Sequence, residues 1–97
     1  MHVVSKKKLK GYWEECPETE GALRAWHKEA ENAQWITSAD MKAKYGSASI
    51  IDSKRVVFNI CGNKHRLLVW VDYAKGRIFT RWLGTHKEYD AQDMKGL

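Results

Sequence analysis

Cysteine is scarce in this 97-residue chain, and proline scarcer still. Cys16 and Cys61 are the only two cysteines, with no CxxC spacing, which excludes a disulfide scaffold and a zinc ribbon and fits a reducing compartment. Pro17 is the single proline, and no Gly/Ser linker or repeat interrupts the sequence, so one domain spanning 1–97 is expected. No apolar run approaches the ~18 residues of a membrane span. The basic start, Met1–Lys10, leads into Gly11-Tyr12-Trp13-Glu14-Glu15 and reads as neither a signal peptide nor an anchor. A soluble cytoplasmic domain with no membrane partner is the expectation. Missing too are HxxxH, P-loop, GxGxxG and GxSxG patterns and the aromatic-studded strands of an RNA-recognition motif. His2, His27, His65 and His86 are scattered, so neither a metal site nor a cofactor is expected.

What the chain does have is an uneven excess of positive charge. Residues 1–50 hold eight basic and seven acidic side chains, whereas 51–97 hold nine against five. A basic half on so small a domain points to a polyanionic partner, although a merely solvated surface has the same composition. Hydrophobic periodicity divides the chain at about the same place. Leu9, Tyr12, Trp13 and Cys16 form a helical stripe over Lys6–Cys16, with Ser5 as a candidate cap and Pro17 as the stop. Thr19 is placed to cap a second helix carrying Ala22, Leu23, Trp26, Ala30 and Ala33, and Ser38 opens a short third that ends before Gly46.

From Ile50 onward the pattern is that of strands. Val56–Ile60, Leu67–Val71 and Arg77–Leu83 read as a meander turned at Gly62-Asn63 and Ala74-Lys75-Gly76, with the last seven residues a short tail. The expected class is therefore α+β: two or three helices packed on a small, mainly antiparallel sheet, with His2-Val3-Val4 a possible edge strand. Of the tryptophans, Trp13, Trp26 and Trp70 read as core and Trp35 and Trp82 as the more exposed.

Arginine inside a strand is costly to desolvate unless paired. A two-residue first loop sets Asn59 opposite Arg66, and Arg66, Leu68, Trp70 and Asp72 then share a face. Arg81 joins that face or the opposite one according to the register of the second hairpin. Either arginine has a plain reading, an outward residue paired with Asp72 or Glu88. Their company argues otherwise, because Lys64, His65, Arg66, Arg81, His86, Lys87 and Tyr89 crowd into the last third of the chain. That set matches metal-free RNA cleavage, in which a ribose 2′-hydroxyl attacks the adjacent phosphorus. Histidine moves protons near neutrality, and guanidinium forks neutralise the phosphorane oxygens. Tyrosine beside a cation positions a nucleophile or serves as a weak base.

Two stretches carry a wider resemblance: Val57-Phe58-Asn59-Ile60-Cys61-Gly62-Asn63-Lys64-His65-Arg66-Leu67-Leu68, and Ile78-Phe79-Thr80-Arg81-Trp82-Leu83-Gly84-Thr85-His86-Lys87-Glu88-Tyr89-Asp90. With Met1–Ser5 and the helix spacing, they make the whole chain resemble the HigB toxins of bacterial type II toxin–antitoxin modules. The resemblance implies a RelE-like fold and an endoribonuclease that enters the ribosomal A site and cuts translated mRNA. It further implies inhibition by a HigA-type helix-turn-helix antitoxin, with operon DNA bound only indirectly through the antitoxin complex. Carried over by position, His86 does general acid or base work, Arg66 and Arg81 contact the scissile phosphate, and Tyr89 positions the nucleophile. Lys64, His65, Lys87 and Asn59 are the residues expected to bind RNA. RelE-type enzymes use lysines and arginines where this chain offers Asn59 and His86. Asp90 reads equally as a partner of His86, a helix cap or a catalytic group. The competing reading is a non-catalytic RNA-binding or protein-interaction domain of the same fold.

Overall fold

Alternating apolar side chains in the second half of the chain build a five-stranded sheet, described with the rest of residues 1–97 in a computed structural model. Its strands are β1 (His2–Val4), β2 (Ser49–Ile50), β3 (Arg55–Ile60), β4 (His65–Asp72) and β5 (Arg77–Thr85), in the order β1-β5-β4-β3-β2. All neighbours are antiparallel except β1, which lies parallel to β5 at the edge. That parallel pairing requires a long connection, supplied here by three helices and the strands β2–β4. The helices are α1 (Lys6–Glu15), α2 (Glu20–Asn32) and α3 (Ser38–Lys44), with a short α4 (His86–Asp90) after β5. None is long and apolar enough to cross a membrane.

Period-2 alternation assigns Val56, Phe58 and Ile60 of β3, Leu67, Val69 and Val71 of β4, and Ile78 of β5 to one face. There they meet Leu9 and Trp13 of α1, Leu23, Trp26 and Ala30 of α2, and Met41 of α3 in a single buried cluster. Each fully buried aliphatic side chain contributes ~1.5–3 kcal/mol, so this face holds the fold together. Trp35, expected to be exposed, is buried and packs edge-on against Tyr45.

Several caps differ from expectation. Ser5 adopts a left-handed conformation with φ 72° and makes no side-chain cap, so the chain turns sharply from β1 into α1. The buried Thr80 hydroxyl donates to the Ser5 carbonyl at 2.7 Å and fastens that corner. Thr19 ends a 3-10 turn, Pro17–Thr19, and its hydroxyl donates back to Cys16, so it does not cap α2. Thr37, one residue before Ser38, caps α3 reciprocally with Asp40.

The first hairpin has a four-residue turn, Cys61–Lys64, with positive φ at Cys61 and Gly62, and it delivers the expected Asn59–Arg66 pair. The second pairs Asp72 with Arg77 and carries a β-bulge opposite Leu68/Val69. The bulge places both Arg81 and Trp82 on the side of the sheet away from the helices. The C-terminal segment is not a free tail: Met94, with Leu97, packs on this second side against Val57, Leu68 and Trp82.

Candidate active site

The side of the sheet left bare by the helices carries Asn59 from β3, Arg66, Leu68 and Trp70 from β4, and Trp82 and Gly84 from β5. Arg66 stands between Asn59 and Gly84 in the cross-strand register. A Cβ on Gly84 would come within 2.5 Å of the Trp82 indole, so glycine there lets the ring lie across β5.

Arg66 is only 7% exposed. Its Nη1 donates to the carbonyl oxygens of Asn63 at 2.9 Å and His65 at 3.1 Å. Its Nη2 donates to Nδ1 of His86 at 3.0 Å, and the guanidinium carbon lies 5.5 Å from the centre of the Tyr89 ring. No carboxylate lies within 4.0 Å of it. A guanidinium this deeply shielded and held only by neutral groups is an electrostatic demand for an anion.

Local structure presents His86 to that arginine. Thr85 accepts from the Glu88 amide at 3.2 Å, and the Glu88 carboxylate accepts from the Thr85 amide at 2.8 Å, a reciprocal cap that fixes the start of α4. The same backbone hydrogen bond holds the Glu88 carboxyl below its usual range. The His86 amide donates to the Lys64 carbonyl at 2.9 Å, joining α4 to the first hairpin turn. Because a guanidinium only donates, His86 Nδ1 accepts and the ring proton sits on Nε2, which faces Asp90 Oδ2 at 3.7 Å. Half-exposed on α4, His86 is open to solvent and substrate.

The structure thus brings Arg66, His86, Tyr89 and Asn59 together on one face. The exposed Lys64 sits on the adjoining turn and Lys87 on α4. Asn59 Nδ2 donates to the Asn63 side chain at 3.3 Å. Two predicted residues do not join this group. His65 is a correction: it precedes Arg66 by one position and so points to the helix-covered side, 3% exposed. Its Nδ1 pairs with the Tyr12 hydroxyl at 2.7 Å and its Nε2 with Glu18 Oε1 at 2.8 Å, leaving nothing for RNA. Burial holds the Tyr12 hydroxyl well above the usual tyrosine range, while the His65 hydrogen bond lowers the Glu18 carboxyl. Arg81 shares the face of Arg66, but its guanidinium stacks 4.0 Å from the centre of Trp70.

Sequence reasoning passed over the Thr85-x-x-Glu88 capping signal, which was readable. It also passed over the gathering of Lys54, Arg55 and Arg81 around Trp70, which only the register and the bulge reveal. No group of three or more His, Cys, Asp or Glu side chains converges as a metal site would require.

The profile of the HigB_toxin family, described as the RelE-like toxic component of a toxin–antitoxin system, matches residues 19–92. The mRNA interferase toxin HigB of Escherichia coli K12 is 29% identical over 92 residues, covering 93% of this chain and 88% of its own. The mRNA interferase HigB of Shigella flexneri matches at the same 29%. That of Escherichia coli O6:H1 matches at 22% over 93% of this chain and 89% of its own.

Proposed function

Because the chain belongs to the HigB toxin family, we propose that it is a ribosome-dependent endoribonuclease that cuts translated mRNA and is neutralised by a HigA-type antitoxin. The observation that carries this reading is the shielded Arg66, without a carboxylate partner, donating to the accepting nitrogen of His86.

In this scheme a substrate phosphate takes the imidazole's place on the Arg66 fork, because a charge-assisted pair outcompetes a neutral acceptor. His86 Nδ1 is thereby freed and removes the 2′-hydroxyl proton. The 2′-oxygen attacks phosphorus and the bond to the 5′-oxygen breaks. The imidazolium, steadied by Asp90, returns a proton to that oxygen. A 2′,3′-cyclic phosphate and a 5′-hydroxyl result, with no metal in any step. Arg66 bears the charge that builds on the phosphorane oxygens. Tyr89 flanks the nucleophile, while Asn59, Lys64 and Lys87 hold the strand.

Inducible expression without antitoxin tests the proposal directly. Growth arrest with mRNA fragments bearing 5′-hydroxyl ends is expected. His86→Ala, at an exposed position, should abolish both at an unchanged melting temperature, with cleavage ~10²–10⁴ slower. Full toxicity of the folded variant would remove His86 from the chemistry. Salt-sensitive RNA binding without cleavage on translating ribosomes would leave only the binding module.

A further inference from the structure

Four residues along β4 from Arg66, and on the same face, Trp70 is the centre of a second cationic group. The Arg81 guanidinium lies 4.0 Å from its ring centre, Lys54 Nζ 4.3 Å, and the Arg55 guanidinium 5.2 Å. Arg55 is neutralised by Asp52 at 2.8 Å. Arg81 and Lys54 have no carboxylate within 4.0 Å. Asp72, at the end of the strand, accepts from the Lys75 amide and stands opposite Arg77. Two further donors here, Trp70 Nε1 and Arg55 Nε, are shielded and lack acceptors.

A guanidinium stacked on an indole uses its face for the stack and keeps its edge donors free and oriented, which is the disposition that takes two phosphate oxygens at once. Like charges held around one ring repel each other until an anion arrives. At about 3.3 Å per strand residue, Trp70 stands about 13 Å from Arg66, a span of several nucleotides of one RNA strand.

We propose that Arg81 and Lys54, organised on Trp70, form a second RNA subsite that grips a backbone phosphate of the substrate strand several nucleotides from the one cut at Arg66. The proposal rests on the endoribonuclease reading, and it moves Arg81 from the reacting phosphate to substrate holding. Arg81 and Lys54 become binding residues, and Trp70 a positioning residue for both.

The test uses RNA made uncleavable by a 2′-deoxy sugar at the cut site, in oligonucleotides of about 3 and about 10 nucleotides. Wild type should bind the longer one about tenfold more tightly. Arg81→Gln and Lys54→Gln, both at exposed positions, should erase most of that gain, each lowering the salt slope by about 0.7. His86→Ala should keep it. In cleavage on translating ribosomes, Arg81→Gln should raise KM about tenfold and change kcat by less than about twofold. An undiminished length gain in Arg81→Gln would overturn the subsite. So would a fall in kcat at fixed KM, which returns Arg81 to the reacting phosphate. An effect seen only on ribosomes, with oligonucleotide binding intact, would assign the platform to ribosomal RNA and overturn the substrate-strand assignment. If wild type cuts no mRNA yet shows the length gain, the nuclease reading fails while the subsite stands.

Discussion

His65 and Arg66 are neighbours on the central strand, both polar and both nearly buried, and they have opposite surroundings. His65 faces the helices, where Tyr12 and Glu18 occupy both ring nitrogens. Arg66 faces the bare side, where two carbonyls and an imidazole accept its protons and no carboxylate balances its charge. The first arrangement is closed: every polar demand is met inside the protein, and the side chain fastens α1 and the 3-10 turn to the sheet. The second is open, because a phosphate satisfies it better than the protein does. Period-2 alternation alone separates the two roles, and it turns one strand into both scaffold and site.

Arg66→Lys should break the open side with the largest effect. The charge survives but the fork is lost, so kcat on translating ribosomes should fall about 10²–10³, the scale of removing one preorganised donor. The melting temperature should fall as well, because a lysine cannot keep all three hydrogen bonds that the fork makes, so kcat is compared per folded molecule. A variant that unfolds while keeping its activity per folded molecule would show that Arg66 is scaffold after all.

Much of the scaffold was legible in the sequence and less of the site. The helical stripes at Leu9 and Trp13 and at Leu23, Trp26 and Ala30, and the apolar run Leu67–Val71, announce their elements because burial imposes a period. The pairing of Asn59 with Arg66 was legible as well, since short hairpins fix register. The face of Arg81 was not, because it depends on the second hairpin's register, and the bulge that follows is local geometry with no residue signature. The burial of His65 was hidden for a related reason. Grouping cationic residues by nearness in sequence ignores the side-to-side alternation that divides adjacent positions between core and surface. The packing of Met94 and Leu97 onto the bare face escaped because two apolar residues in a polar tail carry no period.

The closed side should answer with stability and not with rate. Tyr12→Phe leaves His65 Nδ1 buried without its partner, which should cost about 1–3 kcal/mol, or roughly 4–20 °C in melting temperature for a domain of this size. The kcat should be unchanged, since the Tyr12 hydroxyl bonds His65 and none of Arg66, His86 or Tyr89. A fall in kcat at unaltered stability would mean that the two faces are coupled through the strand.

Glu18 gives the smallest and most specific contrast. Its hydrogen bond from His65 holds the carboxyl below the ordinary glutamate range, so the folded protein prefers it ionised. The stabilisation is present above the unfolded value, about 4.3, and is lost as pH falls through the lower folded value. Glu18→Gln removes that proton linkage. The variant should be slightly less stable near neutrality, and its melting temperature should fall less than that of wild type between about pH 5 and pH 3. Parallel acid profiles for the two proteins would show that the carboxylate contributes nothing to holding His65, leaving Tyr12 as the only partner that closes this side of the sheet.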